Sequence, residues 1–123
     1  MPYRNSLMWL LVSLLVIGSC GPETIFLRPA LDTPDLHVNN GHRFLALGKL
    51  DAAAAEFTRA KKLNDAFVPA YVGIALVQGH QGDVAGGFET LKRARELAAT
   101  TEELQAVEQG FDTLKTMQPP AQK

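Results

Sequence analysis

The sequence predicts an all-α fold: two helix–turn–helix repeats stacked as a short solenoid and closed by a C-terminal capping helix. Three observations carry this. Slid along itself until Gly48 meets Gly82, the chain aligns GKLDAAAAEFTRAKKL (48–63) with GDVAGGFETLKRAREL (82–97), with further identities at Arg59/Arg93, Ala60/Ala94 and Leu63/Leu97. A period of that length belongs to stacked supersecondary units, each unable to bury its apolar side alone. Helix punctuation falls where such units need it, with Thr33-Pro34 opening the first and Thr100 and Glu103 opening the last helix. No strand pattern is evident between them.

Composition bounds the chemistry. A chain of 123 residues has room for one small domain. A formal net charge of −1 gives no field that favours nucleic acid, and none is expected as a partner. The single cysteine, Cys20, excludes an intrachain disulfide framework and a multi-cysteine metal site.

The first element, residues 1–19, is expected to be a signal peptide. One cation, Arg4, precedes an apolar run over residues 7–17, followed by the small residues Gly18 and Ser19. Eleven helical residues rise about 16 Å, short of a hydrocarbon core of about 30 Å. Ile17-Gly18-Ser19-Cys20 resembles the lipobox of bacterial lipoproteins: an aliphatic residue, two small ones, then the cysteine. The resemblance implies cleavage before Cys20, lipid on its sulfur and acylation of the new amine. Several acyl chains, at about 0.8 kcal/mol per buried methylene, hold a membrane far more firmly than one. The alternative is an ordinary signal, or an uncleaved short anchor, with an incidental thiol. Residues 20–33 then read as the lipidated cysteine and an extended tether. Pro22 and Pro29 punctuate it and no helical period runs through it. Its fourteen residues reach roughly 46 Å when fully stretched. Gly21 rather than Asp after the cysteine points, under one sorting rule, to the outer membrane.

From Thr33 the chain is expected to be helical through residue 117. The repeating unit resembles the tetratricopeptide repeat, over residues 34–67 and 68–101. Gly41, Phe44, Gly48, Ala53, Phe57 and Ala60 fill the signature places of the first unit. Tyr71, Ile74, Ala75, Gly82, Gly87, Leu91 and Ala94 fill those of the second. Asn40, Gln78, Asp65 and Ala99 depart from the pattern. Gly41 is expected to face Ala53, and Ala75 to face Gly87, so that paired helices approach closely. The glycine pair at Gly86-Gly87 reads as a weak helix start, at about 1 kcal/mol each relative to Ala. Residues 102–117 form the capping helix, with Leu104, Val107, Phe111 and Leu114 on one face. Residues 118–123 read as a flexible tail. Two repeats fall short of the three usually needed for independent stability. The capping helix, a homodimer or a partner is expected to supply the rest.

Motifs for catalysis are missing from the sequence. No phosphate loop, His-x-x-x-His pair or Cys/His cluster occurs, and no enzymatic activity or cofactor is expected. The resemblance instead implies protein binding on a concave face lined by the first helix of each unit. Carried over by position, that groove is Val38, His42, Leu45, Phe67, Val72, Leu76 and His80. Val38, His42 and Gly73 stand where the carboxylate-clamp repeats need other residues, so an apolar or amphipathic segment fits better than a charged tail. The chain's own tether is a competing occupant. The expected task is that of a lipid-anchored, periplasm-facing adaptor for an envelope complex such as a pilus, secretin, secretion or outer-membrane machine. Two alternatives remain: an accessory handling metal or haem through His42 and His80, or an accessory subunit of an envelope enzyme.

Overall fold

The computed structural model describes residues 32–119. The expected signal, Cys20 and most of the tether, together with residues 120–123 of the tail, lie outside the described residues. Five helices follow one another: α1 (Pro34–Ala46), α2 (Leu50–Leu63), α3 (Val68–His80), α4 (Val84–Leu97) and α5 (Thr101–Met117). Among the described residues there is no strand, so the all-α expectation holds.

Local chemistry explains where the helices start and stop. The Thr33 hydroxyl accepts the Leu36 amide at 3.2 Å, and Pro34 occupies the first helical turn, where its missing N–H costs nothing. The Asp83 carboxylate accepts the Gly86 amide at 2.9 Å. Thr100 and Glu103 form a reciprocal capping box, as their spacing predicts. α1 and α3 end in the same way. Gly48 and Gly82 take φ of 69° and 91°, the left-handed region open to glycine. The amides of Lys49 and Asp83 then reach back to the carbonyls of Phe44 and Gln78, at 2.9 Å each. This Schellman closure satisfies carbonyls that a helix end otherwise leaves orphaned. α3 and α4 begin and end one repeat period after α1 and α2, respectively.

α1 packs on α2, α3 on α4, and α3 touches every other helix. Its sequence explains this position. VPAYVGIALVQGH is apolar on all sides and holds no Asp, Glu, Lys or Arg, as a buried helix must. α3 divides the core in two. On one side Val38, Ala53, Phe57, Ala60, Ala70 and Val77 cluster. On the other, Val68, Tyr71, Val72, Ala75, Leu91, Ala94, Val107, Phe111 and Leu114 do. α5 closes the second cluster with Val107, Phe111 and Leu114, while Leu104 stays 42% exposed.

Close approach is set by glycine. Gly87 does face α3: a Cβ there would lie 2.9 Å from the Ala75 carbonyl. Gly41 lies against the Phe57 ring, which a Cβ would meet at 2.6 Å. The ring extends past α1 to α3, where Gly73 makes room for it in turn.

Candidate functional site

A cavity of about 290 Å³ opens to solvent where α1, α3 and α5 meet. α1 contributes His42, α3 contributes Pro69, Val72 and Leu76, and α5 contributes Ala106, Gln109, Gly110 and Thr113. Helical spacing accounts for each wall. Pro69, Val72 and Leu76 are three and four residues apart, as are Ala106, Gln109, Gly110 and Thr113, so each set shares a face. The two small residues of α5 keep the channel open. Gly110 lies against Leu91 and Val72, where a Cβ would sit 2.9 Å and 3.6 Å from their side chains.

Val72 forms the floor and is only 9% exposed, while Leu76 is half-buried against the core beneath it. Gln109 and Thr113 are exposed on the rim. The Thr113 hydroxyl donates to the Gln109 carbonyl at 2.8 Å and keeps accepting capacity for a ligand. The His42 ring stands edge-on to Phe57, centroids 5.1 Å apart. His42 as a whole is exposed, but partial burial of its ring holds the imidazole below its ordinary value, which keeps it neutral at pH 7. No Asp, Glu, Lys or Arg lines the cavity, so its walls offer an apolar floor and a neutral polar rim.

Of the residues expected in a groove, His42, Val72 and Leu76 come together here. Val38 does not: at 8% exposure it belongs to the first core cluster, because the α1 face that carries it turns towards α2 and α3. Leu45 and Phe67 are half-buried against the same cluster and do not line the cavity. His80 is exposed in the last turn of α3, away from the cavity lining. Val72 and Leu45 therefore do not face open solvent, as a purely lining role requires. The α5 wall was missed by reasoning confined to the first helix of each repeat. The Ala106/Gly110 pair, small residues four apart on a helix otherwise rich in long side chains, was the available signal.

Among the described residues no group of three or more His, Cys, Asp or Glu is placed to hold a metal ion. Among them, too, no helix is long and apolar enough to cross a membrane. What fold and cavity define is a small all-helical domain with an open, uncharged groove. No protein-family model matches the chain, and no curated protein matches it in sequence.

Proposed function

We propose that this protein is a lipid-anchored tetratricopeptide adaptor of the bacterial cell envelope, facing the periplasm and binding an apolar or amphipathic protein segment. It has no catalytic role in this reading and serves to assemble or stabilise an envelope complex. The observation that carries the binding function is the groove between α1, α3 and α5, with Val72 and Leu76 at its base and no charged lining. A peptide helix that places two apolar side chains four residues apart matches such a floor, and the neutral rim suits its polar edge. The repeat assignment draws support from helix boundaries and Schellman glycines that recur at the sequence period. The anchor rests on the lipobox resemblance at Cys20.

The test uses the full chain in its own membranes. A photo-crosslinking side chain at Gln109, exposed on the groove rim, should trap one protein partner. The same group at Lys92, exposed on the outer side of α4 beside Glu89, should trap none. Equal labelling from both positions, or none from Gln109, rejects the groove. Mass spectrometry of the same preparation should find the chain beginning at an acylated Cys20; an unmodified Cys20 rejects the anchor alone.

A further inference from the structure

His37, in the first half of α1, meets a carboxylate at each ring nitrogen. Nε2 lies 2.7 Å from Asp32 Oδ1, and Nδ1 lies 2.7 Å from Glu56 Oε2. Asp32 precedes α1, and Glu56 belongs to α2. Arg59, further along α2, donates to both Asp32 oxygens, its Nε at 3.2 Å, and the Asn40 amide donates to Glu56 at 3.4 Å. The His37 side chain is only 17% exposed, so water does not substitute freely for these partners.

Proton counting favours the imidazolium in this cluster. An ionised carboxylate only accepts hydrogen bonds, and a neutral imidazole has a single N–H to give. One nitrogen of a neutral His37 would turn its lone pair on a carboxylate oxygen within hydrogen-bonding distance. The imidazolium donates to both. We propose that Asp32, His37, Glu56 and Arg59 form a proton-dependent clasp, which fastens the start of the domain to α2 while His37 is charged and loosens when it is not. With the imidazolium the four side chains sum to zero charge; without it one negative charge is left over.

The other surroundings do not compete. α3, which also packs on α1, carries no Asp, Glu, Lys or Arg, and its only titratable side chains are Tyr71 and the exposed His80. Asp35, in the first turn of α1, is exposed and makes no ion pair among those of the described residues. Desolvation acts to lower the His37 pKa, but the hydrogen bonds to Asp32 and Glu56 outweigh it and leave the value raised. Hydrogen bonds from Arg59 first, and then His37, hold the Asp32 carboxyl down at about 2. The signs follow. The His37 contribution is complete below the unfolded value near 6.5 and fades as pH rises through the raised folded value. The Asp32 contribution is complete above about 3.9 and fades as pH falls towards about 2. The clasp is therefore tightest from about pH 4 to about pH 6.5.

Its position gives it consequence. Five residues separate His37 from His42, which places them about 140° apart around α1 at 3.6 residues per turn. The clasp thus holds Asp32 on the α2 side, while the groove opens on another. Thr33, next to Asp32, caps α1, so opening the clasp should also loosen the first turn. The inference needs neither the groove reading nor the anchor.

An NMR titration of the full chain tests it. His37 should carry both ring protons at pH 6 and titrate above the ordinary histidine value of about 6.5. Protection of the Leu36 and His37 amides, corrected for intrinsic exchange, should step down across that midpoint. Glu56→Gln should lower the midpoint, and His37→Gln should abolish the step while keeping the helical signal. A single ring proton at pH 6, a midpoint at or below 6.5, or a parallel protection profile in His37→Gln overturns the clasp. Should a variant fail to fold, the wild-type titration alone decides.

Discussion

At the scale of single residues, the two histidines of α1 show how one residue type takes opposite electrostatic roles five positions apart. Hydrogen bonds to two carboxylates push His37 towards its charged form; partial burial, with Phe57 against the ring, pushes His42 towards its neutral form. Sequence placed His42 in the groove and gave no sign of the His37 cluster, because ring-nitrogen partners on α2 and before α1 are set by tertiary contact. Phe57 is the other instructive residue. It is fully buried, and a Cβ on Gly73 would overlap its ring. The resemblance to the tetratricopeptide repeat put Gly41 and Phe57 at its small and aromatic places. It did not say that the ring spans two glycines on different helices, since register fixes equivalence and not reach. Gly73→Ala should therefore overpack and cost about 1–3 kcal/mol. A domain of this size should lose roughly 4–8 °C in Tm per kcal/mol. In a Phe57→Leu background Gly73→Ala should cost less, because the ring Cε1 in conflict is gone and the shorter side chain can turn away; thermal melts of the single and double variants measure the coupling. An unchanged Tm in Gly73→Ala would mean that the ring is not wedged.

Helix by helix, the boundaries were the most legible part, because caps and glycine turns are local chemistry. Of the pair Gly86-Gly87, Gly87 was legible as a close approach to Ala75, while Gly86 was legible only as a propensity cost. In the fold each glycine admits a neighbour: a Cβ on Gly86 would collide with the capping Asp83 carboxylate, and one on Gly87 would meet Leu114 at 2.8 Å. The apolar face of α5 was read correctly at Val107, Phe111 and Leu114 but not at Leu104, since periodicity marks a face without showing how far the partner surface extends along it. Phe111 is fixed further by Phe88, stacked with centroids 5.8 Å apart, and by the Arg95 guanidinium 4.5 Å from its ring centre. Deleting residues 101–123 uncovers Val72 and Leu91 together with the sides of α3 and α4 beneath α5. The truncated chain should aggregate or lose cooperative unfolding, seen by light scattering and circular dichroism. Leu114→Ala in the full chain should cost about 2–5 kcal/mol, as deletion of a fully buried leucine does. A truncated chain that stays monomeric with an unchanged melt would show that α5 is not a cap.

On the scale of the whole molecule, the groove was half legible. Two of its walls follow from the position of α1 and α3 residues within each unit; the third depends on how α5 crosses α3, which the sequence of neither helix states alone. That third wall supplies the cleaner test of function. Leu76→Glu places a carboxylate on the apolar floor, and burying it under a ligand without a partner should weaken binding at least about a hundredfold. Because Leu76 is half-buried against the second core cluster, this change should also lower stability, and lost binding alone would be ambiguous. Leu45→Glu is worse still, since Leu45 packs on the first cluster and leaves the groove untouched. Thr113→Arg avoids both problems. Thr113 is exposed, so its substitution should move stability by no more than about 0.5 kcal/mol. An arginine there reaches across a cavity of about 290 Å³ and blocks it with a charge that no lining residue neutralises. Measured against the protein trapped from Gln109, Thr113→Arg should reduce affinity as strongly as Leu76→Glu while its melt overlays the wild type. Retained affinity in Thr113→Arg would mean that the partner binds elsewhere and that the groove is a by-product of helix packing.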